Sequence, residues 1–66
     1  MEITVNGESR PVPPGCTVGA LLEELALVGK RLAVEVNDEV VPRSVHARHR
    51  LAEGDRVEIV HAIGGG

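Results

Sequence analysis

The chain ends in Gly64-Gly65-Gly66, and a glycine run closed by a carboxylate offers chemistry that no other stretch of it does. Without side chains, such a segment can pass down a channel too narrow for any other residue, and it tolerates φ of either sign on the way. Three extended residues reach roughly 10 Å beyond a folded body. The terminal carboxylate is ionised at neutral pH and is a poor electrophile until it is activated. A frayed chain end is the ordinary alternative, so the residues ahead of the glycines have to decide.

The remaining reactive side chains are scattered. Cys16 stands just before an expected helix, where the dipole can lower a thiol's pKa. With no histidine close in sequence, an unreactive thiol is expected. His46 and His49 are three apart but lack acidic or cysteine ligands nearby, a poor metal set, and are expected to be surface polar residues. His61 lies in an alternating segment, where a partly buried, hydrogen-bonded imidazole is expected. No Ser/His/Asp set, phosphate-cradling loop or close carboxylate pair can be assigned.

Composition narrows the classes further. Sixty-six residues without one aromatic side chain imply a single small aliphatic core, with little room for a buried substrate pocket. Ten acidic against seven basic side chains give a net charge of −3, and no basic run exceeds Lys30-Arg31. That disfavours nucleic acid and favours a basic patch on another protein. One cysteine makes no internal disulfide and suits a reducing compartment. No apolar run approaches a membrane span. A cytoplasmic location is expected.

The elements that must hold the glycines follow from periodicity. Glu2–Val5 alternates as a half-buried strand, Asn6-Gly7 signals a type I′ hairpin turn, and Glu8–Val12 returns, with Pro11 and Pro13 marking an edge. Thr17 is an N-cap candidate for a helix presenting Val18, Leu21, Leu22 and Leu25 on one face. Gly29 is the expected left-handed stop, and Gly19 a weak point costing about 1 kcal/mol relative to Ala. Val34–Val36 and Val40-Val41 read as strands about an Asn37-Asp38 turn. The segment from Arg43 to Arg50 reads as a loop with a helical turn near Ser44, Leu51 as a plug and Glu53-Gly54-Asp55 as a tight turn. Arg56–Ile63 is the last strand, with Val57 and Ile59 inward and Val60 and Ala62 outward. An outward apolar pair beside the glycines is expected to dock a partner. One helix across a four- to five-stranded mixed sheet, with the last strand parallel to the first, is the β-grasp, or ubiquitin-like, α+β architecture. The expected division is a body over 1–63 and a flexible tail over 64–66.

Asn6-Gly7-Glu8, the helix Thr17–Leu25, Val41-Pro42-Arg43, the Glu53–Val60 segment and the terminal glycines together resemble the sulfur carrier family of thiamine biosynthesis over essentially the whole chain. The resemblance implies a protein that is a co-substrate and not an enzyme, with no cofactor of its own. An E1-like activating enzyme would use ATP to adenylate the carboxylate of Gly66, and a desulfurase system would supply persulfide sulfur. The thiocarboxylate would then pass its sulfur to thiazole synthase. Gly64 and Gly65 would thread into the partner, and Val60, Ala62 and Ile63 would dock against it. Glu23-Glu24, otherwise a solvated helix face, would be available to basic residues of the activating enzyme. The extra glycine at Gly64, where the family often has a bulkier residue, lengthens the side-chain-free part. Other functions stay open: a carrier for molybdopterin or tRNA thiolation, a protein-conjugating tag, or a β-grasp interaction module.

Overall fold

Two asparagines set the layout. Asn6 (φ 51°) and Gly7 (φ 84°), like Asn37 (φ 52°) and Asp38 (φ 71°), occupy the left-handed region at consecutive positions, as two-residue type I′ hairpins require. The first turn joins β1 (Glu2–Val5) to β2 (Glu8–Pro11), the second β3 (Leu32–Val36) to β4 (Glu39–Val41). The computed structural model describes residues 1–61. Within them β5 (Arg56–His61) enters between the two hairpins, giving the order β2-β1-β5-β3-β4. It runs parallel to β1, with Val5 opposite Val57, and antiparallel to β3, with Leu32 opposite His61. The sheet is therefore mixed and five-stranded, a β-grasp as expected. The proposed boundary between residues 63 and 64 lies outside the described residues, as do Ala62 and Ile63 at the end of the expected last strand.

Pro11 sits within β2 because that strand is an edge, where a missing N–H costs no ladder bond. Val12, expected inside the strand, falls just past it, but its N–H still bonds Met1 O at 2.8 Å and its side chain is buried.

The single helix α1 (Val18–Glu24) is seven residues long, too short to be stable alone. It forms because Val18, Leu21 and Leu22 bury against Ile3, Val34, Val57 and Ile59, each such side chain contributing roughly 1.5–3 kcal/mol. Thr17 caps it, Oγ1 accepting from Ala20 N at 3.1 Å. The helix stops earlier than the expected glycine. Ala26 takes φ 58°, and the bonds Ala26 N to Glu23 O (3.0 Å) and Leu27 N to Leu22 O (2.8 Å) close a Schellman motif. Gly29 (φ 84°) instead serves the following turn, whose Lys30 N bonds Leu27 O at 3.2 Å.

Residues 43–51 strap the helix start. A 3-10 turn covers Arg43–Val45, and Gly19 N bonds His46 O (2.8 Å), Val18 N bonds His49 O (2.9 Å) and Leu51 N bonds Cys16 O (2.8 Å). Gly19 is thus no mere weak point. A Cβ there would lie 3.3 Å from both Ala47 Cα and His46 O, so the glycine admits the strap. Leu51 plugs the core as expected.

Candidate functional site

The strand leading towards the glycines is β5, and its alternation divides two surfaces. Val57 and Ile59 are buried under α1, while Val60 is 58% exposed on the opposite face. Beside Val60 on that face is its cross-strand partner Ala33, exposed on β3. One row further, Glu35 has Glu58 as partner on β5 and Val40 on β4, and Val40 is 67% exposed. The open face thus grades from an apolar row at the end of β5 to a charged one.

The charged row includes an uncompensated contact. Glu35 and Glu58 are directly opposite, and they and Asp38 each bring a carboxylate oxygen within 4.8 Å of the others. Like charges placed so destabilise a sheet. Asp38 is relieved by Arg56, Nη2 to Oδ2 at 3.0 Å. The trio could hold a hard cation through oxygen ligands, but the Arg56 contact already uses one of its members.

β5 is secured by side chains as well as by ladder bonds. Asn37 Oδ1 accepts from Arg56 N and its Nδ2 donates to Asp55 Oδ1, both at 3.0 Å. Asn6 makes the corresponding pair further along, Oδ1 accepting from Ile59 N at 2.8 Å and Nδ2 donating to Ile59 O at 3.4 Å.

Of the residues singled out in the sequence, Val60 lies exposed on the sheet face opposite α1. Ala62, Ile63, Gly64, Gly65 and Gly66 lie outside the described residues. Glu23 and Glu24 are exposed, as a solvated helix face requires. His61 is exposed rather than partly buried, because it lies on an open groove beside Leu25, Leu27 and Ile59. His46 and His49 are only half-exposed, and His46 is no free surface residue: its Nε2 bonds Val41 O at 3.0 Å. With a carbonyl as partner, that nitrogen is the donor.

Cys16 is buried, and burial, assisted by the Glu24 charge and opposed by Arg10, pushes its thiol up from the ordinary 9.0. Burial and the raised pKa both keep the thiolate fraction low at neutral pH. A surface groove of about 420 Å³ runs beside Leu22, Leu27, Leu32, Arg43 and His46, a volume the composition gave no reason to expect. It contains no nucleophile paired with a base.

Sequence reading missed Ala33, Val40 and the Glu35–Glu58 opposition. The alternation of β3 carried the signal for Ala33, since it shares a parity with Glu35. The opposition depends on strand register, which one strand's pattern does not contain.

Comparison with known proteins agrees over the whole chain. A model of the ThiS family matches residues 3–66. The sulfur carrier protein ThiS of Escherichia coli is 33% identical over 66 residues, all of both chains. Thiazole synthases of Paramagnetospirillum magneticum and Magnetococcus marinus are 46% and 41% identical over 66 residues, and the chain spans 20% of the length of each. The crystal structure of the thiamine biosynthesis protein ThiS from Geobacter metallireducens superposes with a TM-score of 0.86 at 33% identity, covering both chains completely. Matched in sequence from residue 3 to residue 66 and in the β-grasp fold, this chain belongs to the ThiS family.

Proposed function

We propose that the chain is a sulfur carrier for thiazole formation in thiamine biosynthesis, acting as a co-substrate of other enzymes. The observation that carries this reading is the full-length match to the carrier of E. coli. That two relatives named thiazole synthase include a region similar to this whole chain supports that enzyme as the acceptor. A cytoplasmic location goes with the reading, supported by a lone cysteine that needs no disulfide partner.

Direct replacement of a carboxylate oxygen by sulfur would have to expel oxide. A Gly66 carboxylate oxygen therefore attacks the α-phosphorus of ATP on an activating enzyme, releasing pyrophosphate and leaving an acyl adenylate. A persulfide sulfur from a desulfurase system attacks the carbonyl carbon and expels AMP. A thiol then cleaves the sulfur–sulfur bond, which leaves a thiocarboxylate whose sulfur is nucleophilic. The chain's share of this chemistry is presentation. Gly64 and Gly65 thread the narrow approach, at an ordering cost of about 1–2 kcal/mol per residue. Apolar contact at Val60, Ala62 and Ile63 offsets that cost at roughly 25 cal/mol per Å² buried. ATP serves the activating enzyme, and the carrier needs no cofactor.

The test is intact mass after incubation with an activating enzyme, ATP and a sulfur source. One oxygen exchanged for sulfur is expected, and deletion of Gly66 abolishes the exchange while leaving the fold unchanged. A gain of a whole protein's mass would identify a conjugating tag, and an unchanged mass an interaction module. A thiazole requirement on gene deletion distinguishes this acceptor from molybdopterin or tRNA.

A further inference from the structure

β5 receives unequal support along its length. On its β3 side the pairing runs from Val57 opposite Val36 to His61 opposite Leu32. On its β1 side it is brief: Thr4 N bonds Asp55 O at 3.0 Å, Asn6 N bonds Val57 O at 2.8 Å, and β1 then turns away at Asn6-Gly7. The next rung is supplied by a side chain. The carboxamide of Asn6 accepts from Ile59 N at 2.8 Å and donates to Ile59 O at 3.4 Å, satisfying both backbone groups that a longer β1 would have bonded. Ile59 is thus the last described position of β5 with partners on both sides. Beyond it, among the described residues, Val60 and His61 pair with β3 alone.

We infer that Asn6 is a positioning residue for presentation of the chain's C-terminal segment, acting through Ile59 to fix the direction in which β5 leaves the sheet. The inference rests on the carrier reading above. A strand pinned on one edge can splay about its remaining ladder, and an angular error at Ile59 grows with every residue beyond it. Losing the clamp lowers the fraction of molecules poised for docking. That raises the apparent KM in proportion and leaves the chemistry of the bound complex unchanged.

Asn37 provides a control built into the fold. It too occupies a left-handed hairpin position and holds β5 through both ends of its carboxamide, but at Asp55 and Arg56, where β5 begins. Asn6→Gly and Asn37→Gly each keep the positive φ their turns need and each delete one clamp.

The experiment compares both variants with the intact protein in adenylation by the activating enzyme, followed as pyrophosphate exchange, together with amide hydrogen exchange. Asn6→Gly is expected to raise KM about fivefold, the scale of one modest net hydrogen bond, with kcat within twofold. The Ile59 amide should lose protection while the Val57 amide keeps it. Asn37→Gly should leave KM unchanged at comparable loss of stability, and Asn6→Asp, which retains the acceptor for Ile59 N, should recover part of the KM. Equal KM values for the two glycine variants, or a kcat loss without a KM change, would overturn the role. If the Ile59 amide loses protection in Asn6→Gly but the intact protein is not adenylated at all, the clamp stands as structure and the carrier reading fails, taking the positioning role with it.

Discussion

At the residue scale, two positions show what packing imposed on side chains that the sequence pattern left unremarkable. Ala26 holds φ 58° to end α1, a conformation that costs an L-residue with a Cβ roughly 1–2 kcal/mol. Ala26→Gly should therefore raise unfolding stability by about 1 kcal/mol in urea titration. Gly29 has the residue type that usually stops helices. The actual stop came earlier because Leu27 is needed beside the core, and Leu22–Leu27 closure puts it there. Cys16 gives a pH signature. Its thiol pKa is raised by burial above the ordinary 9.0, so the unfolded state releases the proton first as pH rises. The stability this thiol contributes is complete below pH 9.0 and is lost through the higher folded pKa. Denaturation at a series of alkaline pH values should show the decline, and Cys16→Ala, at some cost in packing, should flatten it.

At the element scale, the strands, both hairpin turns and the helix face were legible because each depends on local alternation or local turn chemistry. What was not legible depends on how elements meet. Gly19 reads as a helix defect on propensity alone, yet a Cβ there would press on His46 O and Ala47 Cα at 3.3 Å, within a strap fixed by two backbone bonds to the helix start. Gly19→Ala should therefore fail to yield the helix-propensity gain of about 1 kcal/mol and should destabilise instead, as measured by thermal unfolding. The Glu35–Glu58 opposition is likewise a product of register. Glu58→Lys should stabilise the fold by about 0.5 kcal/mol, with the gain shrinking at high salt as screening removes the attraction.

At the scale of the whole molecule, one sheet face is closed by α1 and the other carries the exposed Val60, Ala33 and Val40. Val60→Glu should leave unfolding stability within about 0.5 kcal/mol, as an exposed site allows, but should raise the KM for loading. The outward position of Val60 was readable because it lies in an alternating strand. Its neighbours were not, since they come from the other hairpin. The order of the strands has a further effect on how the molecule is made. β5 is the last described element in sequence and the middle one in space, with 53 residues separating Asn6 from Ile59. Until it is laid in, the chain amounts to two unjoined hairpins and a helix with nothing to cover. On the proposed carrier reading, the keystone is thus also the arm that offers the glycines, and an immature copy has no fixed geometry from which to offer them. Assembly and readiness for service become one event.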